Sequence, residues 1–245
     1  MLQESVRKIA CLAAFAALAA PIAFPQEASS PKPPPYRGVT VFVDGIFVTP
    51  VPGVPLTAVV EIQSTQVLSD GSTEVRKSFA NIARDSQGRI YNERRQLVGP
   101  SFAGTPQVLG FHIFDPETKL NTFLDPSTHL ARQSIFRGRS ADTALDPQTA
   151  EQDLGIGTME GVSVRGTLRS RTVPAPVSGT GKVVVVTDEY WYSEDLHLNM
   201  LEKRDDPRTG QQTVTVTKVD RGEPNPAIFE VPAGYKVVDE NPPNE

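Results

Sequence analysis

Apolar and polar residues alternate with a period of two from Leu56 onward: Leu56, Ala58, Val60 and Ile62 fall on one side, and Thr57, Glu61, Gln63 and Thr65 largely on the other. Successive side chains of an extended chain point to opposite faces, so this spacing predicts a half-buried β-strand. Asp70-Gly71 predicts a two-residue hairpin turn and a return strand over Thr73–Arg84. Asp85-Ser86-Gln87-Gly88 then turns the chain into Arg89–Arg95, and the charged strand ends predict one wet face. Strands are expected over 108–114, 118–124 and 128–136, separated by Asp115-Pro116 and Asp125-Pro126. Asp in such a pair accepts from a backbone N–H two residues on, and Pro fixes φ for the next position.

The same reading gives strands over 161–172, 183–192 and 213–217, an alternating segment at Leu196, Leu198 and Met200, and a turn at Asp206-Pro207-Arg208-Thr209-Gly210. His112 and His197 fall inside these alternating stretches, whereas His129 follows the Asp125-Pro126 turn. One helix is predicted, from Pro147 to Leu154, with Pro early and Glu151 nearby. Ahead of Leu56, Val39–Val43 reads as a short strand and Asp44-Gly45 as a turn. Ile46-Phe47-Val48 follows, and Pro50, Pro52 and Pro55 make this part an edge or a strap across the domain. The fold class is mainly β: a single antiparallel sheet of about eleven strands with little helix.

Composition changes the picture at the N-terminus. Arg7 and Lys8 precede the apolar run Ile9–Ala20, and small residues follow, which is the pattern of a secretory signal peptide over 1–19, cleaved after Ala19. The run is shorter than the roughly 20 residues of a membrane span, and Pro21 and Pro25 end it. Cys11 lies inside the run and reads as one of its small apolar residues. The expected organisation is a Pro-rich disordered linker over 20–38, a β domain over 39–240 and a disordered tail over 241–245. The mature chain has no transmembrane span by this reading, and its location is periplasmic or secreted. It also has no cysteine, so no disulfide can staple it. The net charge is −5, and losing Glu4, Arg7 and Lys8 makes the chain more acidic, which argues against a nucleic-acid partner.

Candidate chemistry is sparse. His112, His129 and His197 stand in no ligand spacing. Gly161-Val162-Ser163-Val164-Arg165-Gly166 places its second glycine one residue late for a nucleophile elbow and lacks the strand-to-helix context. Gly155-Ile156-Gly157 with Gly161, and Gly179-Thr180-Gly181-Lys182, miss the dinucleotide and phosphate-loop spacings. Glu194-Asp195 and Asp205-Asp206 fall at turns, where carboxylates are solvated. No catalytic residue, metal or cofactor is expected, and the chain reads as non-enzymatic. Tyr190, Trp191 and Tyr192, with Leu198 and Met200, are the candidate ligand-lining residues; sheet core with an aromatic rim is the other reading of the same side chains.

Several stretches carry a family resemblance: Leu56–Glu61, Leu68-Ser69-Asp70-Gly71, Arg84–Arg89 with Glu93-Arg94-Arg95, Phe114-Asp115-Pro116 and Leu124–His129. Glu189–Ser193, Asp206–Gly210 and Pro226–Tyr235 complete them. Together they resemble uncharacterised exported proteins of acidobacteria, and the C-terminal part is similar to the LolA-like and RseB-like lipoprotein-carrier superfamily. That resemblance implies an unclosed, strongly curved sheet, an open half-barrel whose concave face holds an acyl chain or another apolar ligand. The proline-rich N-terminal segment stands where the carriers have a helix. The expected function is an exported protein binding an apolar or lipid-like ligand, such as a lipoprotein acyl chain, on the concave face. The alternative is an envelope protein-interaction or sensory module of RseB-like type with a protein partner.

Overall fold

The computed structural model describes residues 46–68, 70–137 and 149–241. The expected leader (1–19), linker (20–38), first strand (39–43) and Asp44-Gly45 turn lie outside the described residues, as do 138–148 and 242–245. The described strands are β1 (Leu56–Val67), β2 (Thr73–Arg84), β3 (Ile90–Arg95), β4 (Val108–Asp115), β5 (Leu120–Asp125) and β6 (Leu130–Ile135). After them come β7 (Thr149–Met159), β8 (Val162–Val173), β9 (Val184–Ser193), β10 (Leu198–Asp206), β11 (Gly210–Asp220) and β12 (Lys236–Asp239). They form one sheet in the order β12-β6-β5-β4-β3-β2-β1-β11-β10-β9-β8-β7, with β12 and β7 as unclosed edges. Every pairing is antiparallel except that of β12 with β6.

Alternation decides what each strand buries. Val60 of β1 lies opposite Ala80 of β2 and Val216 of β11, and all three enter a main core with Leu56, Ala58 and Ile82. The same core holds Val162 and Val164 of β8 and Leu196, Leu198 and Met200. Toward β6 the sheet buries its other face: Ala83, Ile113, Leu124 and Ala131 form a second core. Ile228, Phe229, Val231 and Tyr235, around a 3-10 turn (Pro226–Phe229), cover it. This C-terminal segment then adds β12, which the sequence pattern did not announce.

The strap expected before Leu56 is present. Ile46 and Val48 are buried in the main core, whereas Phe47 points out. Arg84 holds this strap. Its guanidinium is 0% exposed and donates from Nε to Val54 O (2.8 Å), from Nη1 to Thr49 O (2.7 Å) and from Nη2 to Leu196 O (2.7 Å). Leu196 precedes β10, three strands from β2, so a flat sheet would set them about 14 Å apart. One side chain closes that gap because the sheet curves around the core.

The turns follow the Asp rule. The side chains of Asp115, Asp125 and Asp206 each accept from the backbone N–H two residues on, at 2.9, 2.8 and 3.0 Å. The residue before the next strand is left-handed in the first two, Lys119 at φ 59° and His129 at φ 52°.

Four local expectations are corrected. Residues 149–154 are strand, the first part of β7, not helix: they pair with β8, and cross-strand Glu151–Arg169 and Asp153–Arg165 ion pairs (2.9 and 2.6 Å) match the charges. A six-residue stretch with so few apolar positions takes its conformation from the neighbouring strand. The β1–β2 connection is wider than a two-residue turn: Leu68 N donates to Ser72 O and Gly71 N to Leu68 O, with Gly71 at φ 81°. His197 lies in the β9–β10 turn at φ 48°, not in a strand. Arg84 and Asp85, read as part of a wet strand end, are buried.

Candidate functional site

The side of β1, β2 and β11 turned away from the main core carries three cross-strand rows. They are Thr213–Gln63–Lys77, Thr215–Glu61–Phe79 and Thr217–Val59–Asn81. Over these rows runs the connection between β3 and β4, and between the two lies a cleft of about 740 Å3. Val98, Phe102, Gly104 and Pro106 form its wall, and Lys218 stands at its rim.

The wall is held at three points. Val98 and Lys77 exchange backbone hydrogen bonds at 2.8 and 2.9 Å, and Gln96 N donates to Gln107 O at 2.8 Å, closing the base of the loop. Arg95 Nη1 donates to Pro106 O at 3.0 Å, while its guanidinium lies 4.9 Å above the Phe79 ring. Glu93 fixes Arg95: its Oε2 accepts from Arg95 Nε (2.9 Å) and from Asn81 N and Nδ2 (3.1 and 2.8 Å). Burial, with Glu93 beside it, pushes the Tyr91 phenol far up, so it stays protonated and donates to Glu93 Oε1 (3.2 Å).

The surface so framed is amphipathic. Val59, Phe79, Val98, Phe102 and Pro106 give it apolar area. The Thr213 and Thr215 hydroxyls, the Gln63 amide and the Lys77 and Lys218 ammonium groups have no side-chain partner among the described residues. A few unengaged polar groups beside apolar walls is the arrangement of small-molecule sites, and the volume falls in their range of roughly 300–1,000 Å3.

The residues chosen from the sequence lie elsewhere. Leu198 and Met200 are fully buried in the main core, and Trp191 packs against it. The indole lies across two glycines: a Cβ at Gly166 would stand 2.9 Å from Trp191 Cη2, and one at Gly157 3.0 Å from Cζ3. Its Nε1 donates to Glu189 Oε1 at 2.6 Å. Tyr190 is half-buried beneath the Arg169 guanidinium (5.6 Å), and burial raises its phenol. The Tyr192 hydroxyl stands 3.5 Å from His197 Nδ1. The structure brings Trp191, Leu198 and Met200 together at the main core, whereas Tyr190 and Tyr192 are not part of it.

Each histidine has a local setting. His112 Nε2 bonds Asn121 Oδ1 (2.9 Å), its ring stacks on Phe123 at 4.5 Å, and burial holds it below the ordinary imidazole range. His129 lies 5.4 Å from the Tyr235 ring. Among the described residues, no group of three His, Cys, Asp or Glu side chains is placed to hold a metal, and no helix is long and apolar enough to cross a membrane.

No family profile and no curated protein matches the chain. Solved structures do. An uncharacterised conserved protein from Thermus thermophilus aligns at TM-score 0.42 and 12% identity, over 77% of this chain and 91% of that one. MucB in its complex with MucA from Pseudomonas aeruginosa aligns at 0.40 and 10%, over 75% of this chain and 58% of that one. A putative outer membrane lipoprotein-sorting protein domain from Vibrio parahaemolyticus aligns at 0.18 and 10%, over 71% and 89%. The chain spans less than two thirds of the MucB structure it matches.

Proposed function

We propose that this chain is an exported, non-enzymatic binding protein for an amphipathic, lipid-like ligand. The cleft over β1, β2 and β11, rather than the concave face, takes that ligand. The observation that carries this reading is the pairing, in one cleft of about 740 Å3, of apolar walls with hydroxyl, amide and ammonium groups that nothing else engages. An alkyl or acyl segment lies against Phe79, Val98 and Phe102, where each Å2 withheld from water contributes about 25 cal/mol. The polar end meets Thr213, Thr215 and Lys77. Ile46 and Val48 of the strap, with Leu198 and Met200, are buried together in the main core, which favours the cleft. The N-terminal leader pattern supports a periplasmic or secreted setting for such a ligand.

The test is native mass spectrometry of protein recovered from the envelope, with solvent extraction, followed by titration with a fluorescent fatty acid. Binding that is lost in Phe102→Asp and in the cleft-filling Thr215→Trp supports the reading. Protein that carries nothing and binds no probe, or cleft variants that bind as the parent does, sinks it.

A second reading, a protein-interaction module, is favoured by the edge at β7, where Ile156 is 73% exposed and one side of the strand has no neighbour among the described strands. Crosslinking in whole envelopes that returns one protein partner and no lipid would select it.

A further inference from the structure

The β8–β9 hairpin ends in a basic, carboxylate-free segment of this acidic chain. From Ser170 to Thr187 there is no carboxylate, but there are Arg171 and Lys182. Within it Val177 is 71% exposed, Val183 63% and Val185 49%. Neither cation has an ion-pair partner among the described residues. The flanking carboxylates are engaged: Glu151 with Arg169 (2.9 Å), Asp188 with Arg204 (3.2 Å) and Asp206 with Arg208 (2.6 Å).

The tip is built to hold its valines outward. Ser178 N donates to Pro174 O (2.9 Å), closing a single helical turn, α1 (Ala175–Ser178). Thr180 N donates to Ser178 Oγ (3.2 Å) and Lys182 N to Thr180 Oγ1 (3.3 Å). Gly179 and Gly181 take φ 75° and 71°, which lets the chain reverse twice in three residues. Pro174 and Pro176 carry no N–H, so this backbone has fewer donors to strip of water on entering a less polar medium.

We propose that this hairpin tip docks the protein onto an anionic lipid bilayer surface. Aliphatic side chains on a projecting loop enter the headgroup boundary, while Arg171 and Lys182 stay at phosphate level. The charge pattern favours a bilayer over a protein partner: the tip carries two cations and no carboxylate, so an anionic surface attracts it. Protein interfaces, by contrast, centre on aromatic anchors, and the tip has none.

The experiment places an environment-sensitive dye at Val177→Cys or, as the control, at Ile156→Cys, each in exported protein that has lost the leader over 1–19 and with it Cys11. Ile156 lies opposite Arg165, six residues along β8 from Arg171, or about 20 Å away. With vesicles of phosphatidylcholine and phosphatidylglycerol, the dye at position 177 should shift to the blue and the dye at 156 should not. Reversing both cations (Arg171→Glu with Lys182→Glu) should lower vesicle partitioning at least roughly 30-fold, and added salt should weaken it. The proposal is overturned if neither position or both positions respond, if pure phosphatidylcholine gives an equal response, or if charge reversal changes nothing. Phe102→Asp should leave the response intact, which separates this surface from the cleft.

Discussion

The two sides of β1, β2 and β11 are written by the same residues at alternate positions, and they have come to opposite uses. On one side Val60, Ala80 and Val216 meet the strap and disappear from water. On the other, Glu61, Gln63, Thr213 and Thr215 leave a polar floor that a single connecting loop covers. The first side holds the fold together through area and complementarity. The second has polar groups to spare, so its residues can change with little cost to stability and, on the proposed function, a large cost to binding.

That contrast can be broken first at Arg84. Arg84→Met removes three donors at once, leaving the carbonyls of Val54 and Leu196 without this partner and that of Thr49 with only Val51 N, so a loss of at least about 3 kcal/mol is expected in urea unfolding. Arg84→Lys should recover only part of it, because an ammonium point cannot span the fork of a guanidinium. Next comes Met200→Ala, which empties a fully buried position and should cost about 2–5 kcal/mol by the same measurement.

Gly166→Ala tests the opposite error, overpacking. Its new Cβ would lie 2.8 Å from Leu154 Cβ and 2.9 Å from Trp191, so about 1–3 kcal/mol should be lost, with an altered emission spectrum from the lone tryptophan. Acid sensitivity should be smaller. Hydrogen bonds from Arg208 hold the Asp206 carboxyl below the ordinary range, so its contribution is complete above the unfolded carboxylate value and is lost as pH falls through the folded one. Asp206→Asn should therefore flatten the acid limb of a stability-versus-pH curve while lowering stability near neutrality. Smallest of all is Thr215→Ala, expected to stay within about 0.5 kcal/mol of the parent while weakening the fatty-acid titration. A large destabilisation there would erase the difference between the two sides.

Much of the architecture was legible because period-two patterning and Asp-centred turns act locally. Thr73–Arg84 and the turns at Asp115, Asp125 and Asp206 needed no tertiary information. Residues 149–154 did need it, since their strand conformation comes from β8. So did β12, a four-residue strand specified by its parallel neighbour β6. The composition of the aromatic run at Tyr190–Tyr192 does not distinguish a lining from a packing role. What separates the two is the pair of glycines on β7 and β8 over which Trp191 lies. The cleft was out of reach for a different reason: its wall comes from a loop with no periodic signal, and its floor from polar positions that any wet strand face would show. Arg84 was hidden in the same way, its charge read as exposure.

The Arg84 contacts also bear on the order in which the chain can close. Leu196 O lies 112 residues downstream of the guanidinium that it satisfies. In a polypeptide threaded through a translocation pore from its N-terminus, the strap and β2 emerge long before that acceptor, and closing the core around an incompletely solvated cation would be unfavourable in the interval. If the chain is exported as proposed above, one buried cation would defer closure of the core until Leu196 has crossed.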